Sequence, residues 1–288
     1  MKFINYLLIT IFCISALEAK YDLSIAAMFQ NEAPYLKEWI EFHKLVGVQH
    51  FYLFNNLSKD NYKEILKPYI LSGEVELFQV PTETHDGDQL YALQRRVYSK
   101  AIKKAKGKTR WLAILDLDEF LFAVNEDNVA DFLNANFKEY SGVRVNWQIF
   151  GTSNVEAIPQ NKLMIEMLTM KARPNYSKNY SCKSIVRPEC VLHANIHICC
   201  YKPGCMEVNG AKKMMRDNNT GCHIDEIRIN HYITRDESYY DSVKVPRLLK
   251  RNDNNTRAKL FRIKNTLSQY EDSTILRFVP ALRARMGY

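Results

Sequence analysis

Asp116 and Asp118 stand one residue apart directly after the apolar run Trp111-Leu112-Ala113-Ile114-Leu115, and Glu119 follows them. Side chains at i and i+2 of an extended chain point to the same side. The two carboxylates can therefore converge on one point beyond the end of a buried strand. Hard carboxylate oxygens in that place suit a divalent cation, and such a cation suits a phosphate-bearing ligand. An ordinary strand closed by an acidic turn has the same local string. The elements around the pair decide between the two.

Those elements alternate. Residues 23–29 form a short apolar run, read as a buried strand, and Asn31-Glu32-Ala33-Pro34 follows as a loop with Pro34 near a helix start. Residues 35–46 carry Leu36, Trp39, Ile40, Phe42 and Leu45 at helical spacing, and Gly47 ends the helix. A strand over 50–54 closed by Asn55-Asn56, a helix over 61–71 interrupted by Pro68, a strand over 75–80, a helix over 89–106 and a strand over 111–115 continue the pattern. This predicts an α/β fold with a mostly parallel sheet covered on both faces. Ligands of such sheets lie beyond the carboxyl ends of the strands. Asn31-Glu32, Asn55-Asn56 and Asp116-Leu117-Asp118 all fall at such ends, which favours the functional reading of the aspartates. No GxGxxG or GxxxxGK[ST] is present, which argues against a dinucleotide fingerprint and a P-loop.

Beyond Phe120 the pattern loosens. A short helix over 128–137 and an alternating strand over 142–147 are expected, and 163–170 fits a strand or a short helix. Residues 171–222 are rich in loops. Ile227-Arg228-Ile229-Asn230-His231-Tyr232 alternates again, with Arg228 and Asn230 on one side and His231 on the other. Residues 239–251 and 255–264 read as basic helices.

At 288 residues and a formal charge of +8, the chain can bury a large core without crosslinks. Its basic residues are dispersed apart from the stretch 100–108, whose helical spacing suits a solvated helix face. No nucleic-acid signature accompanies them, so nucleic acid is not an expected partner. Lys2, an apolar run over 3–17 and Leu17-Glu18-Ala19 read as a signal peptide or signal anchor over residues 1–19. Export to a periplasm, the exterior or a secretory lumen is the expectation, with membrane attachment where the segment is an uncleaved signal anchor. Residues 20–288 are read as one domain, with a ligand-binding half over 20–125 and a Cys-containing half over 126–288. Cys182, Cys190, Cys199, Cys200, Cys205 and Cys222 cluster in the latter, which suggests local disulfides in an exported chain. A zinc site with His193, His197 and His223 is the alternative, though no CxxC pair supports it. Asn56, Asn175, Asn179, Asn218 and Asn254 head glycosylation sequons.

Several strings in order resemble glycosyltransferase family 92, a family of the GT-A class. They are Gln30-Asn31-Glu32 with Tyr35-Leu36-Lys37-Glu38-Trp39, His43 with Gly47-Val48, residues 51–58, Gln94, Trp111 with Asp116-Leu117-Asp118-Glu119-Phe120, Trp147 with Phe150-Gly151, Lys183-Ser184-Ile185-Val186-Arg187-Pro188, His197, and His231-Tyr232. The resemblance runs from about residue 22 to 251. It implies a GT-A-like α/β fold, a nucleotide-sugar donor such as a UDP-sugar, and a divalent cation, usually Mn2+. By resemblance Asp116 and Asp118 hold the metal and the donor diphosphate, with His231 as a third ligand. Glu32, Asn31 and Asn55 lie near the nucleoside, and Lys183 and Arg187 are supplementary cations for the phosphates. The chain departs from the family in having Arg235-Asp236 where Lys-Ser is usual, so a phosphate-gripping role would pass to Arg235. Asn55-Asn56 likewise replaces a more usual Asp-Asn.

Glycosyl transfer from a nucleotide diphosphate needs its leaving group neutralised as the sugar bond breaks. It also needs a base within reach of the acceptor hydroxyl. Asp225, Glu226 and Glu156 are the candidates for the base. Glu119 reads as a local structural acid, and Trp147 as a sugar-stacking or core residue. The leading expectation is a metal-dependent hexosyltransferase, with galactose as the sugar and a glycan or other hydroxyl compound as acceptor. The alternatives are a non-catalytic sugar-binding module that kept the fold, and an Asp-dependent phosphotransferase.

Overall fold

The structure is a computed structural model and describes residues 19–215, 221–249 and 266–288. Its main sheet begins with four parallel strands, β1 (Tyr21–Phe29), β2 (His50–Asn55), β3 (Val75–Gln79) and β4 (Thr109–Ile114), in the order β3-β2-β1-β4. The connecting helices are α1 (Ala33–Leu45), α2 (Tyr62–Leu71) and α3 (Gly87–Ala105). Every residue of β2 is buried, as a strand covered on both faces requires. Asp86 caps α3 by accepting the Gln89 N–H at 2.8 Å. Pro68 lies inside α2, and the helix runs through it rather than breaking.

The second half turns the sheet from parallel to mixed. Next along the chain come β5 (Glu119–Ala123), helix α4 (Val129–Asn136), β6 (Gly142–Ile149), β7 (Met170–Lys171), β8 (Cys182–Val186), β9 (Val191–Ala194), β10 (Cys199–Tyr201), β11 (Glu207–Asn209), β12 (Ile227–His231) and β13 (Tyr270–Glu271). The main sheet continues as β4-β8-β6-β12-β5, with β11 also paired to β6. β8 runs antiparallel to both β4 and β6, and β5 antiparallel to β12. Residues 163–170 resolve into both expected forms, a helix at Met164–Met167 followed by the start of β7. The Cys-bearing stretch holds four strands, β8 to β11, where loops were expected.

Two residues from the family-like strings are structural. His43 donates through Nδ1 to the Trp39 carbonyl (2.8 Å), and its Nε2 accepts the Leu121 N–H (3.2 Å). Trp39 Nε1 donates to the Glu119 carbonyl at 2.8 Å. Together they fasten α1 to β5, the strand that follows the aspartates. Burial lowers the pKa of His43 to about 3, so the ring is neutral. Gly47 has φ +97°, and a Cβ there would sit 2.2 Å from Oδ1 of Asn128, the cap of α4, so only glycine fits.

The expected disulfides do not form: all six cysteines are free. Cys182 and Cys199 are buried and pack as small apolar side chains, and burial pushes their thiols up to about 11 and about 12. Among the described residues, no group of three or more His, Cys, Asp or Glu is placed to hold a metal ion, neither the zinc set with His193, His197 and His223 nor the full set of Asp116, Asp118 and His231. The sequons Asn56 and Asn179 are also buried. Asn56 Nδ2 donates to the Val80 and Thr82 carbonyls, and Asn179 Nδ2 to those of Arg173 and Pro174. A glycan there would break those bonds, whereas Asn175 is exposed. No helix among the described residues is long and apolar enough to cross a membrane. The N-terminal segment, the sequons at Asn218 and Asn254, and the helix expected over 255–264 lie outside the described residues.

Candidate active site

Strand polarity assembles the site. β4 delivers Asp116 and Asp118 past its carboxyl end. β8 pairs antiparallel to β4 with Ala113 opposite Ile185, so the start of β8 meets the end of β4. Lys183 Nζ therefore reaches Asp116 Oδ2 at 2.7 Å and Glu119 Oε1 at 3.7 Å. β12 pairs with β5 so that His231 lies opposite Glu119. This brings His231 Nε2 to 3.4 Å from Asp118 Oδ1.

The charges are strongly perturbed. Lys183 is fully buried; burial works against its charge, but Asp116 and Glu119 outweigh that and its pKa is raised. Burial drives the Glu119 carboxyl well above the usual range, opposed by Lys183. Glu119 Oε2 accepts the Asp116 N–H at 2.9 Å, the structural acid's role expected of it. Asp118 is held well below the usual carboxylate range because Lys244, His231 and Arg235 overcome its burial. His231 is lowered by burial against the pull of Asp118, which favours a neutral imidazole with a lone pair to offer. Tyr98 donates to Asp116 Oδ1 at 3.2 Å and fixes that carboxylate from α3.

A pocket of about 310 Å³ is lined by Asp116, Asp118, His231, Glu32, Lys244 and Arg247, among others. Beside it, a cleft of about 730 Å³ opens over the ends of β1, β2 and β3, bounded by Asn31, Asn56, Ser58, Thr84 and His85. Both fall at the carboxyl edge of the parallel strands, where ligands of such sheets lie. Asn31 (φ +55°) and Leu57 (φ +58°) take left-handed backbone in the loops that form this edge. Asn31 Oδ1 accepts the Lys59 N–H at 2.7 Å, tying the two loops together.

Asp116, Asp118, His231, Lys183, Glu32 and Asn31 are thus gathered at one edge. Asn55 is behind it: its side chain bonds Tyr62, Gln79 and the Ser58 N–H, and the neighbouring Asn56 lines the pockets instead. Arg187 lies at the far end of β8, roughly 13 Å along the strand from Lys183, where it stacks on Trp111 and bonds the Lys138 carbonyl. Asp225 and Glu226 are exposed just before β12, with Glu226 roughly 16 Å along the chain from His231. Glu156 is exposed in a loop, where its carbonyl accepts the Ser238 N–H. None of these four lines the pocket that holds the aspartates.

Arg235 does not face the pocket either. It is buried between Tyr35 and Tyr239 and pairs with Glu32 at 2.6 Å. The cations that do line the pocket are Lys244, 3.2 Å from Asp118 Oδ2, and Arg247, 3.7 Å from Glu32 Oε1. Sequence reasoning placed both on a basic helix without a role. Their spacing of three residues, which puts them on one helix face, was the available signal.

The model of glycosyltransferase family 92 matches residues 20–269. A family 92 protein of Ricinus communis is 27% identical over 180 residues, covering 59% of this chain and 29% of its own length. One from Oryza sativa subsp. japonica is 25% identical over 225 residues, covering 76% and 36%. The chain spans about a third of the length of these curated relatives. Among solved structures, S. aureus TarS is 14% identical, with a TM-score of 0.38 over 58% of this chain and 47% of its own. Glucosyl-3-phosphoglycerate synthase from Mycobacterium tuberculosis is 13% identical, with a TM-score of 0.32 over 59% and 57%. The family match takes in every strand of the main sheet and both lysines that face the aspartates, and the chain belongs to glycosyltransferase family 92.

Proposed function

We propose that this protein is a metal-dependent glycosyltransferase that moves a hexose from a UDP-sugar to a hydroxyl acceptor. The observation that carries this is the approach of Asp118 Oδ1 and His231 Nε2 to 3.4 Å in a pocket also lined by Asp116, Lys244 and Arg247. One carboxylate and one neutral imidazole, side by side, form a fitting half-shell for a divalent cation, with ligand oxygens to complete it. Bound there, Mn2+ supplies Lewis-acid neutralisation of the leaving diphosphate.

The chain's own residues do the rest. Lys183 holds Asp116 in place from the protein interior. Lys244 and Arg247 offer hydrogen-bond donors to phosphate oxygens. The larger cleft over β1 to β3 takes the nucleoside, with Asn31 and Asn56 in its lining. Family membership favours galactose as the sugar and a glycan as the acceptor. The apolar N-terminal segment supports export of the domain, with or without retention at a membrane.

Incubating the protein with a panel of sugar nucleotides and Mn2+, and following release of nucleotide diphosphate, tests this. Release that requires the cation and is lost in Asp118→Ala is expected. Release unaffected by a chelator and by that substitution would overturn the metal-dependent reading.

A further inference from the structure

We propose that a second cleft, on the opposite flank of the aspartates from the nucleoside site, binds a pyranose ring of the acceptor glycan; this rests on the transferase reading above. The cleft measures about 510 Å³ and is lined by Tyr91, Arg95, Tyr180, Asn195, Ile196 and His197 among others. That size lies within the roughly 300–1,000 Å³ of small-ligand sites.

Helix α3 connects the two sites. Leu90 and Gln94 line the aspartate pocket, and Tyr91 and Arg95 line the second cleft. Each pair has i,i+4 spacing, so the two sites flank adjacent stripes of one helix. On the sheet side, a row of three rings spans the gap. Trp147 packs edge-on against His231 at 4.4 Å and against His197 at 5.3 Å. The cleft therefore lies one indole away from the imidazole beside Asp118. The buried Trp147 Nε1 has no hydrogen-bond partner among the described residues.

The lining suits a sugar. Tyr91 and Tyr180 are about half exposed, at 51% and 48%, and both line this one cleft. Such rings offer flat apolar faces to the C–H side of a pyranose, while Arg95 and Asn195 supply donors for its hydroxyls. His197 supplies the acceptor. Its Nδ1 lies 3.1 Å from the Cys182 carbonyl, which can only accept, so Nδ1 carries the proton and Nε2 keeps its lone pair. In the transfer, the glycan hydroxyl oxygen forms a bond to the anomeric carbon of the donor sugar. The bond from that carbon to the diphosphate oxygen breaks, and its electron pair leaves with the diphosphate. The hydroxyl proton passes to His197 Nε2. No co-reactant beyond donor and acceptor is needed.

The test uses the full chain saturated with Mn2+ and UDP, with a panel of methyl pyranosides as probes. Pyranoside binding is read by saturation-transfer NMR and UDP binding by calorimetry. The expected result is that at least one pyranoside binds, and that Tyr91→Ala and Tyr180→Ala each weaken it about tenfold while UDP affinity stays within about twofold. With that pyranoside as acceptor, His197→Ala should lower kcat by about 100-fold or more and leave the acceptor KM within a few-fold. UDP binding with no bound pyranoside, or with pyranoside binding that survives both Tyr91→Ala and Tyr180→Ala, overturns the cleft and leaves the transferase reading standing. Failure of UDP to bind overturns both. A His197→Ala variant that keeps its kcat removes the proton-accepting role.

Discussion

Lys183 Nζ and Asp116 Oδ2 meet at 2.7 Å because the antiparallel pairing of β8 with β4 sets the start of one strand against the end of the other. The lysine is fully buried, while the Asp116 side chain keeps 30% of its surface exposed. One partner is thus anchored in the interior and the other presented to ligand. The site's first aspartate is positioned by a charge that no solvent can relax.

Removing that lysine leaves Asp116 and the buried Glu119 without their counter-charge. Breaking a buried pair on one side costs roughly 3–5 kcal/mol. Lys183→Met should lower Tm by about 10 °C in a thermal melt. Adding Glu119→Gln to that variant should recover part of the loss, because the remaining buried carboxylate is gone. A Tm unchanged by Lys183→Met would show that the pair does not organise the core of the site.

Of the three expected metal ligands, Asp118 and His231 form the pair proposed to hold the cation, and Asp116 is paired with Lys183 at 2.7 Å. Asp118→Ala and His231→Ala should each reduce Mn2+-dependent release of UDP by on the order of 100-fold or more. Chelation of the cation should have the same effect on the unsubstituted protein and little further effect on either variant. Additive losses from chelation and substitution would place the cation elsewhere.

Lys244 competes for the same carboxylate. Its ammonium lies 3.2 Å from Asp118 Oδ2. Lys244→Ala should therefore tighten Mn2+ binding when no donor is present and raise the donor KM by about tenfold. Calorimetry with the metal alone and steady-state kinetics with the UDP-sugar read the two effects separately. Movement of both in the same direction would rule out the competition.

His43 gives the protein an acid sensitivity of its own. Its pKa falls from 6.5 to about 3 on burial. Between those values the unfolded chain binds a proton that the native state refuses. The associated stability is complete above pH 6.5 and declines as pH falls toward 3, by up to about 1.4 kcal/mol per pH unit. Denaturant titrations of His43→Gln should show a shallower fall in stability across that window, by up to one proton. Parallel pH profiles for the two proteins would count against a neutral buried ring.

The first four strands and three helices were legible because each carries its own hydrophobic period and its own stop. Asp116 and Asp118 were legible as a pair just past a buried strand, but not in their geometry: Leu117 and Asp118 form a turn closed by the Glu119 N–H on the Asp116 carbonyl at 3.2 Å, where an extended chain was expected. Arg187, Asp225 and Glu226 failed for one shared reason. Each sits on or beside a strand whose other end reaches the site, and strand polarity depends on pairing with segments far away in sequence. Arg235 was placed by its position after His231, but it turns inward to Glu32 between two tyrosines. Lys244 was invisible because a basic helix face looks the same whether it meets solvent or carboxylates. The cysteines misled because their even count fits a crosslinked framework, whereas two of them serve as buried apolar side chains.

The pairing of β8 with β4 and of β12 with β5 also sets when the site comes into existence. Lys183 is 67 residues from Asp116, and Lys244 is 126 from Asp118. A nascent chain that has folded only through β4 carries two neighbouring carboxylates with none of their cationic partners. Loop closure over such separations is slow relative to the local strand-helix units that precede it. The full set of charges around the aspartates therefore exists only where β8 and β12 have joined the sheet, which makes the site a property of the completed fold and of no single segment.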